Sequence, residues 1–510
     1  MFFKKVLLSN LIIEKWKSIS PASKSLFYLI MILQFASFGF EMTNLAFNHD
    51  DTTQFLFSSP YWAWSSGRWA LGLFRYYVLN SYFMPFLSFG IAFVLMYLYG
   101  LMICKIWEVN DGPAMVFLIG ILVTFPYMSN AYSYNTSVVP FALAHCLAAL
   151  GVFFSLKKSL YYFMVSIVFI CISVSIYQSL LLNILVIMGF VLFFQIFKKQ
   201  SVKIISLNFF KMFLSVAFGS IFYYISIKLS LYFSGIKKLT TYQGADKMFE
   251  YSFSKLHLGF LKSIALYKNI FLKQQSYFPS YAKNILLALF VIAITSIIIK
   301  KCSSPIRAIM LSSLLICLSF IPCVLQVIHP AGRYHVLTLT SVAVLFAGIT
   351  AIIFINKWTF LKNISVILIV FVLYIFACEN NRKSVISLQS TRAEQMLASR
   401  MLARAEALPE YFQMEKKTFV FIGKLPRHEI DCEYPFLSSV GVGGYRLNGP
   451  RGWAVLRLLR TKVYPPTAKQ IQVAKDHIKS RRGWPHLDSV FIVDNIVVVI
   501  LSNPQSCQRS

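Results

Sequence analysis

Two adjacent acids, Asp50 and Asp51 in the stretch AFNHDDTTQF (46–55), are the first candidates for chemistry. A carboxylate within hydrogen-bond reach of a hydroxyl can take its proton as that hydroxyl attacks. Acids are scarce around the pair: between Leu26 and Cys378 the others are Glu41, Glu108, Asp111, Asp246 and Glu250. A carboxylate at a membrane boundary is costly and usually has a task. The plain alternative is capping, since Asp and Thr are good N-caps and NHDD before TTQF could open a short helix. Adjacent residues do not share a helix face, so one could cap while the other is catalytic. Asp50, nearer the preceding apolar run, is the first choice of base.

Cations and aromatics follow in the same stretches. Arg68, in WAWSSGRW, carries a planar fork suited to a phosphate or to one of the Asp side chains. Arg333 in HPAGRYH (329–335) is a second phosphate candidate, although Pro330 and Gly332 would make a tight turn there unaided. Lys237 and Lys238 could meet a phosphate or lipid headgroups. Trp62, Trp64 and Trp69 read either as an interfacial belt or as faces for a sugar. Tyr132, Tyr134 and Asn135 of SNAYSYNTS, with His329 and His335, complete the set that could contact sugar hydroxyls. No Walker loop, nucleophile elbow, dinucleotide fingerprint or metal-ligand spacing is present.

The elements that must position these residues are membrane helices. The chain has 510 residues, of which 57% are hydrophobic, above the roughly 45–50% of globular proteins. Apolar runs of spanning length predict about eleven helices, centred on 25–45, 83–104, 113–128, 137–156, 160–177, 179–197, 207–233, 284–300, 306–327, 336–355 and 359–378. The run 161–197 is too long for one crossing, and SIYQS is its one turn signal. Residues 1–24, with Lys4, Lys5, Lys15 and Lys17, read as an amphipathic segment on the inner membrane surface rather than a cleaved leader. Lys105, Lys157 with Lys158, KKQSVK and KKCSSPIR lie in alternate loops, which predicts a cytoplasmic N-terminus and outer loops at 46–81, 235–283 and 329–335. Residues 379–510 read as a soluble α/β domain on the outer side, with strands in KKTFVFIG and SVFIVDNIVVVIL and a helix in TAKQIQVAKDHIKS. Cys432 and Cys507 fall in that domain and could pair in an oxidising compartment. The net charge of +30 is spread over loops and this domain, so lipid headgroups and phosphate-bearing substrates explain it better than nucleic acid does.

An acidic pair in the first outer loop, a following GRW, about eleven spans and a trailing outer domain resemble the GT-C class of membrane glycosyltransferases. The stretch NHDDTTQF…SSGRWALG is similar, more narrowly, to the bacterial and phage serotype-converting O-antigen glucosyltransferases. The resemblance implies an enzyme of the bacterial inner membrane. It would move glucose from undecaprenyl-phosphate-glucose to a hydroxyl of the lipopolysaccharide O-antigen on the periplasmic side, with inversion. It also implies a link to a donor-synthesising transferase and a donor flippase. Asp50 or Asp51 would then be the base, with Arg68, Arg333 and Lys237 or Lys238 at the phosphate. No cofactor follows for certain; Mg or Mn is used by some members of the class. The alternatives are another polyprenyl-phosphate-sugar transferase, an O-antigen polymerase, or a lipid-linked sugar flippase; a transporter would be expected to show internal repeats and midplane charges, which this chain lacks.

Overall fold

A computed structural model describes residues 20–44, 46–48, 51, 60–79, 84–247, 252–272, 280–299, 304–329, 336–355, 359–423, 447, 452–459, 461–478 and 481–502. Twelve long helices dominate them: α1 (Pro21–Thr43), α2 (Pro85–Trp107), α3 (Gly112–Thr124), α4 (Val138–Ser155), α5 (Leu160–Ile176), α6 (Leu180–Phe197), α7 (Val202–Phe233), α8 (Phe253–Phe271), α9 (Ser280–Ile299), α10 (Pro305–Phe320), α11 (Ser341–Ile355) and α12 (Thr359–Glu406). Among the described residues nine helices are long and apolar enough to cross a membrane, and a bent pair makes a tenth. Helix α5, apolar but 17 residues long, fills the remaining expected segment. The chain is thus a multi-pass membrane protein, with a small sheet near its C-terminus.

Local sequence explains where helices start and break. Ser20 caps α1, accepting from the Ser23 N–H at 3.2 Å, with Pro21 in the first turn. Asp111 does the same for α3, accepting from the Ala114 N–H at 3.1 Å. The span expected to run unbroken over 113–128 is corrected. Helix α3 stops at Thr124, and the short helix Pro126–Tyr132 leaves it at 47°. Pro126 has no N–H to donate and excludes the helical conformation for Phe125. The run 161–197 divides at Tyr177–Ser179, within SIYQS. The stretch 235–283, expected as a loop, holds the 19-residue helix α8. Lysines along its sequence keep it below the apolarity of a span. Its backbone approaches residues 326 and 327 so closely that a Cβ on Gly259 would meet the Gln326 carbonyl at 2.7 Å.

Helix α12 is one continuous element of 48 residues, about 72 Å at 1.5 Å per residue. The boundary expected at 378 falls inside it: its first half is apolar, and its second half carries the C-terminal sheet. That sheet has strands β1 (Thr418–Ile422), β2 (Val490–Val493) and β3 (Ile496–Ile500) in the order β1-β3-β2. Strand β3 pairs parallel with β1 and antiparallel with β2. A central strand is covered on both faces, which is why IVVVI is apolar throughout. One face packs Phe419, Phe421, Val497 and Val499 on Ala398, Met401 and Ala405 of α12. The other packs Val420, Val498 and Ile500 with Ala474 of the helix Ala468–Asp476. Asp494 and Asn495, both at positive φ (46° and 58°), form the two-residue hairpin turn. Thr467 and Gln470 make a capping box at the start of the helix Ala468–Asp476.

Candidate active site

The most constrained polar cluster lies where the C-terminal end of α1 meets α12, the Pro126 bend and the 3-10 turn Asn135–Ser137. Asp51 is at its centre and is 0% exposed. Its Oδ2 accepts three bonds: from the Asn48 N–H (3.1 Å), the Asn135 N–H (3.3 Å) and Asn135 Nδ2 (3.0 Å). Its Oδ1 faces the Thr136 hydroxyl at 3.5 Å. Asn135 Nδ2 also donates to the Ala46 carbonyl at 2.8 Å. Asp51 and Asn135 therefore staple residues 46–51 to 135–137. Burial pushes the Asp51 carboxyl above the ordinary carboxylate range, against the pull of the bonds from Asn135 and Asn48 and the charge of Arg75. Arg75 reaches the same turn through Nη2 to the Ser137 hydroxyl.

Beside this clamp sits a second buried acid, Glu41, 7% exposed. It accepts from the Ser384 hydroxyl at 3.1 Å, and the charges of Lys383 and Asp51 both act on it. Lys383, 4% exposed, donates to the Ser129 hydroxyl at 3.2 Å. One turn before it, Asn380 Nδ2 donates at 2.7 Å to the Thr124 carbonyl that the Pro126 break leaves without a helical partner. Charges are kept this deep where opposite charge and hydrogen bonds surround them.

Arg68 lies in a second cluster at the same end of the bundle. Its Nε donates to Gln178 Oε1 at 3.1 Å, and Gln178 Nε2 donates to the Ser66 carbonyl at 3.0 Å. The guanidinium lies 4.8 Å from the Tyr177 ring centre and 5.9 Å from that of Trp62. The Tyr223 hydroxyl donates to the Gly67 carbonyl at 3.2 Å. Gly67 has φ +75°, which favours glycine there. Among the described residues no carboxylate pairs with Arg68, which is held by an amide and two ring faces; Asp50, one of the two acids expected near it, lies outside those residues. The Thr240 N–H donates to the Ser65 carbonyl at 2.8 Å, tying the next segment to this cluster. There Lys237 and Lys238, both exposed, line a cleft of about 690 Å³ with Lys228, Tyr224, Leu231 and Asp246.

The remaining candidates divide. Tyr132 is fully buried, its ring centre 4.8 Å from that of Phe38 and 5.5 Å from that of Phe89, so its ring packs in the core. Trp69 packs on the core and donates to the Ser226 hydroxyl at 2.8 Å. Trp64 packs on the core so closely that a Cβ on Gly72 would meet its Nε1 at 2.7 Å. All three tryptophans and Tyr134 are half-buried. Asn135 serves Asp51 as described. His329 is buried at the end of the short helix Leu325–Ile328. Asp50, Arg333, His335, Cys432, Cys507 and the segment 1–19 lie outside the described residues. Among the described residues no group of three His, Cys, Asp or Glu side chains is arranged to hold a metal ion.

Three participants escaped the sequence reading as site residues. Gln178 was visible only as part of a turn, and Glu41 only as one acid in a short count. Lys383 has a clearer signal: Asn380, Lys383, Ser384, Ser387, Thr391 and Glu394 recur at helical spacing, and every one is buried.

No curated protein and no solved structure matches the chain. A family model described as glucosyl transferase GtrII matches residues 39–389, which takes in α1 from Gly39, both clusters and α12 as far as Gln389. With well over half of its length matched, the chain belongs to the GtrII glucosyl transferase family and is a glycosyltransferase.

Proposed function

We propose that the protein transfers glucose from undecaprenyl-phosphate-glucose to a sugar hydroxyl of the lipopolysaccharide O-antigen, on the periplasmic face of the bacterial inner membrane, with inversion. The observation that carries this reading is the pairing of an acid pocket with a cationic, aromatic cluster at one end of an apolar bundle in a chain of this family. The acceptor oxygen bonds to the anomeric carbon as the bond from that carbon to the phosphate oxygen breaks. The acceptor proton passes to a carboxylate, and the electron pair leaves on the lipid phosphate. One displacement needs one base and no enzyme nucleophile.

Asp50 takes the proton, and Asp51 is the positioning residue. Asp51 is buried, with Oδ2 committed to three protein donors, which suits it to fixing the chain beside Asp50 rather than to meeting a substrate. Arg68 and the Lys237–Lys238 cleft stabilise charge on the leaving phosphate; Tyr224 and Leu231 give that cleft an apolar wall for a lipid chain. Arg333 is assigned to the same phosphate on sequence grounds. Trp62, Tyr134 and the two histidines are assigned to sugar contact. Mg or Mn, if bound, would help the cations neutralise the charge on the leaving phosphate.

The test is transfer of labelled glucose by purified protein in detergent, with the lipid donor and O-antigen polysaccharide. Product is expected without a closed vesicle and with glucose supplied only on the lipid. Transport of the donor across vesicles with no glucosylated product would replace this reading with a flippase.

A further inference from the structure

A built recess in the C-terminal unit takes no part in the chemistry above. Arg482, Gly483, Trp484, Pro485, His486 and Leu487 curve around a cleft of about 570 Å³. The turn is tied down at several points. The Trp484 N–H donates to the Ile500 carbonyl of β3 at 2.8 Å. Arg404 of α12 donates through Nη1 to the carbonyls of Pro485 (2.9 Å) and His486 (2.8 Å). The Arg404 and Arg400 guanidinium groups lie 4.3 and 5.3 Å from the Trp484 ring centre.

The side chains around this turn are arranged for polar recognition. Asp488 pairs with His486 Nδ1 and, at 3.7 Å, with Arg482 Nε. These contacts leave the imidazole Nε2 and the outer nitrogens of Arg482, whose side chain is 66% exposed. Leu487, 79% exposed, adds an apolar ledge. A planar guanidinium donor and an imidazole nitrogen, both fixed by a carboxylate, suit the paired hydroxyls of a sugar ring, which donate and accept, and an apolar ledge with an aromatic beside it suits the ring's C–H face.

The cleft is far from the acid pocket. Arg404, which holds its wall, and Lys383, which lies in that pocket, are on one helix and 21 residues apart. That is about 30 Å along the axis. A sugar in the cleft is therefore not the sugar being glucosylated. A chain of several units spans both places, and a tether at one end raises the local concentration of the other.

We propose that the Trp484 cleft is a distal saccharide subsite that holds the acceptor as a chain, so that the enzyme favours a polymer over a single repeat. This rests on the reading of the acceptor as a polysaccharide. The experiment compares full-length wild type with Arg482→Ala and His486→Ala in detergent, on a long polysaccharide and on a single repeat. The long acceptor's KM should rise about 5–10-fold while kcat and the donor KM stay within about twofold, and the single repeat should be unaffected. Equal responses of the two acceptors, or no response of either, overturn the subsite. Saturation-transfer NMR on the same proteins without donor separates this from failure of the transferase reading. Saccharide signal in wild type and its loss in both variants upholds the cleft even if no glucose is transferred; no signal in wild type overturns it.

Discussion

The acid pocket and the Arg68 cluster lie at one end of the bundle, joined by the helical stretch 69–78, and are built in opposite ways. In the acid pocket, Asp51, Glu41 and Lys383 are buried, held by short polar side chains from α12, the Pro126 bend and the 135–137 turn. Arg68 is half-buried, held by one amide and two ring faces, and next to it the lysine cleft is open. The difference suits the two tasks proposed for them. Proton transfer needs a group fixed against a hydroxyl to within a few tenths of an ångström. A phosphate on a lipid must enter and leave, so its cations are better placed at the edge of a cleft.

Substitutions can break or sharpen that contrast. The largest effect is expected from Lys383→Met, which strands Glu41 without its neighbouring cation. Removing a charge that acts on a buried acid approaches the cost of breaking a direct buried pair, about 3–5 kcal/mol, read as a lowered unfolding temperature in detergent. Glu41→Gln with Lys383→Met should recover most of it; a single variant as stable as wild type would mean that water reaches the pocket. Next is Arg68→Lys, which gives up the planar fork seen by Gln178 and Tyr177. Transfer rate is expected to fall about 10–100-fold, the range for one hydrogen bond to a charged group, with a smaller fall for Gln178→Ala. A smaller effect still is expected from Lys237→Ala and Lys238→Ala. Exposed charges contribute up to about 1 kcal/mol each, so the donor KM should rise a few-fold at low salt and less at high salt.

The smallest effect is on stability with pH. Burial raises the Asp51 carboxyl, so the folded state favours its protonated form. That contribution is complete below the unfolded value of about 4 and is lost as pH rises through the folded value. Wild type should lose a little stability across that window. Asp51→Asn, uncharged throughout, should lack that component of the slope in thermal unfolding curves.

Much of the bundle was legible because apolar length alone marks a span: each of the eleven expected segments coincides with a helix. The strands in KKTFVFIG and SVFIVDNIVVVIL were legible for a similar reason, since their signals are local. Helix α8 was missed because a helix lying against the bundle needs one apolar stripe rather than an apolar run. In the site, Asp51 and Arg68 were legible as rare charges beside spans. Their partners were not, because Asn135 and Gln178 are ordinary amides whose roles depend on contacts 84 and 110 residues away in the chain. Lys383 was hidden for another reason: in a stretch that reads as the start of a soluble domain, a lysine looks like a solvated charge.

The most direct measurement is the initial rate of glucosyl transfer by purified Asp50→Asn, Asp51→Asn and Asp51→Ala at equal protein levels. Asparagine at 51 keeps an oxygen for Asn48 and Asn135 and offers its amide to the Thr136 hydroxyl, so it preserves the clamp without the charge. Asp50→Asn is expected to lose about 10²–10⁴-fold, the range for a general base. Asp51→Asn should stay within about tenfold of wild type, and Asp51→Ala should fall well below it. Asp51→Asn as inactive as Asp51→Ala, with Asp50→Asn active, would contradict the assignment and make Asp51 the base.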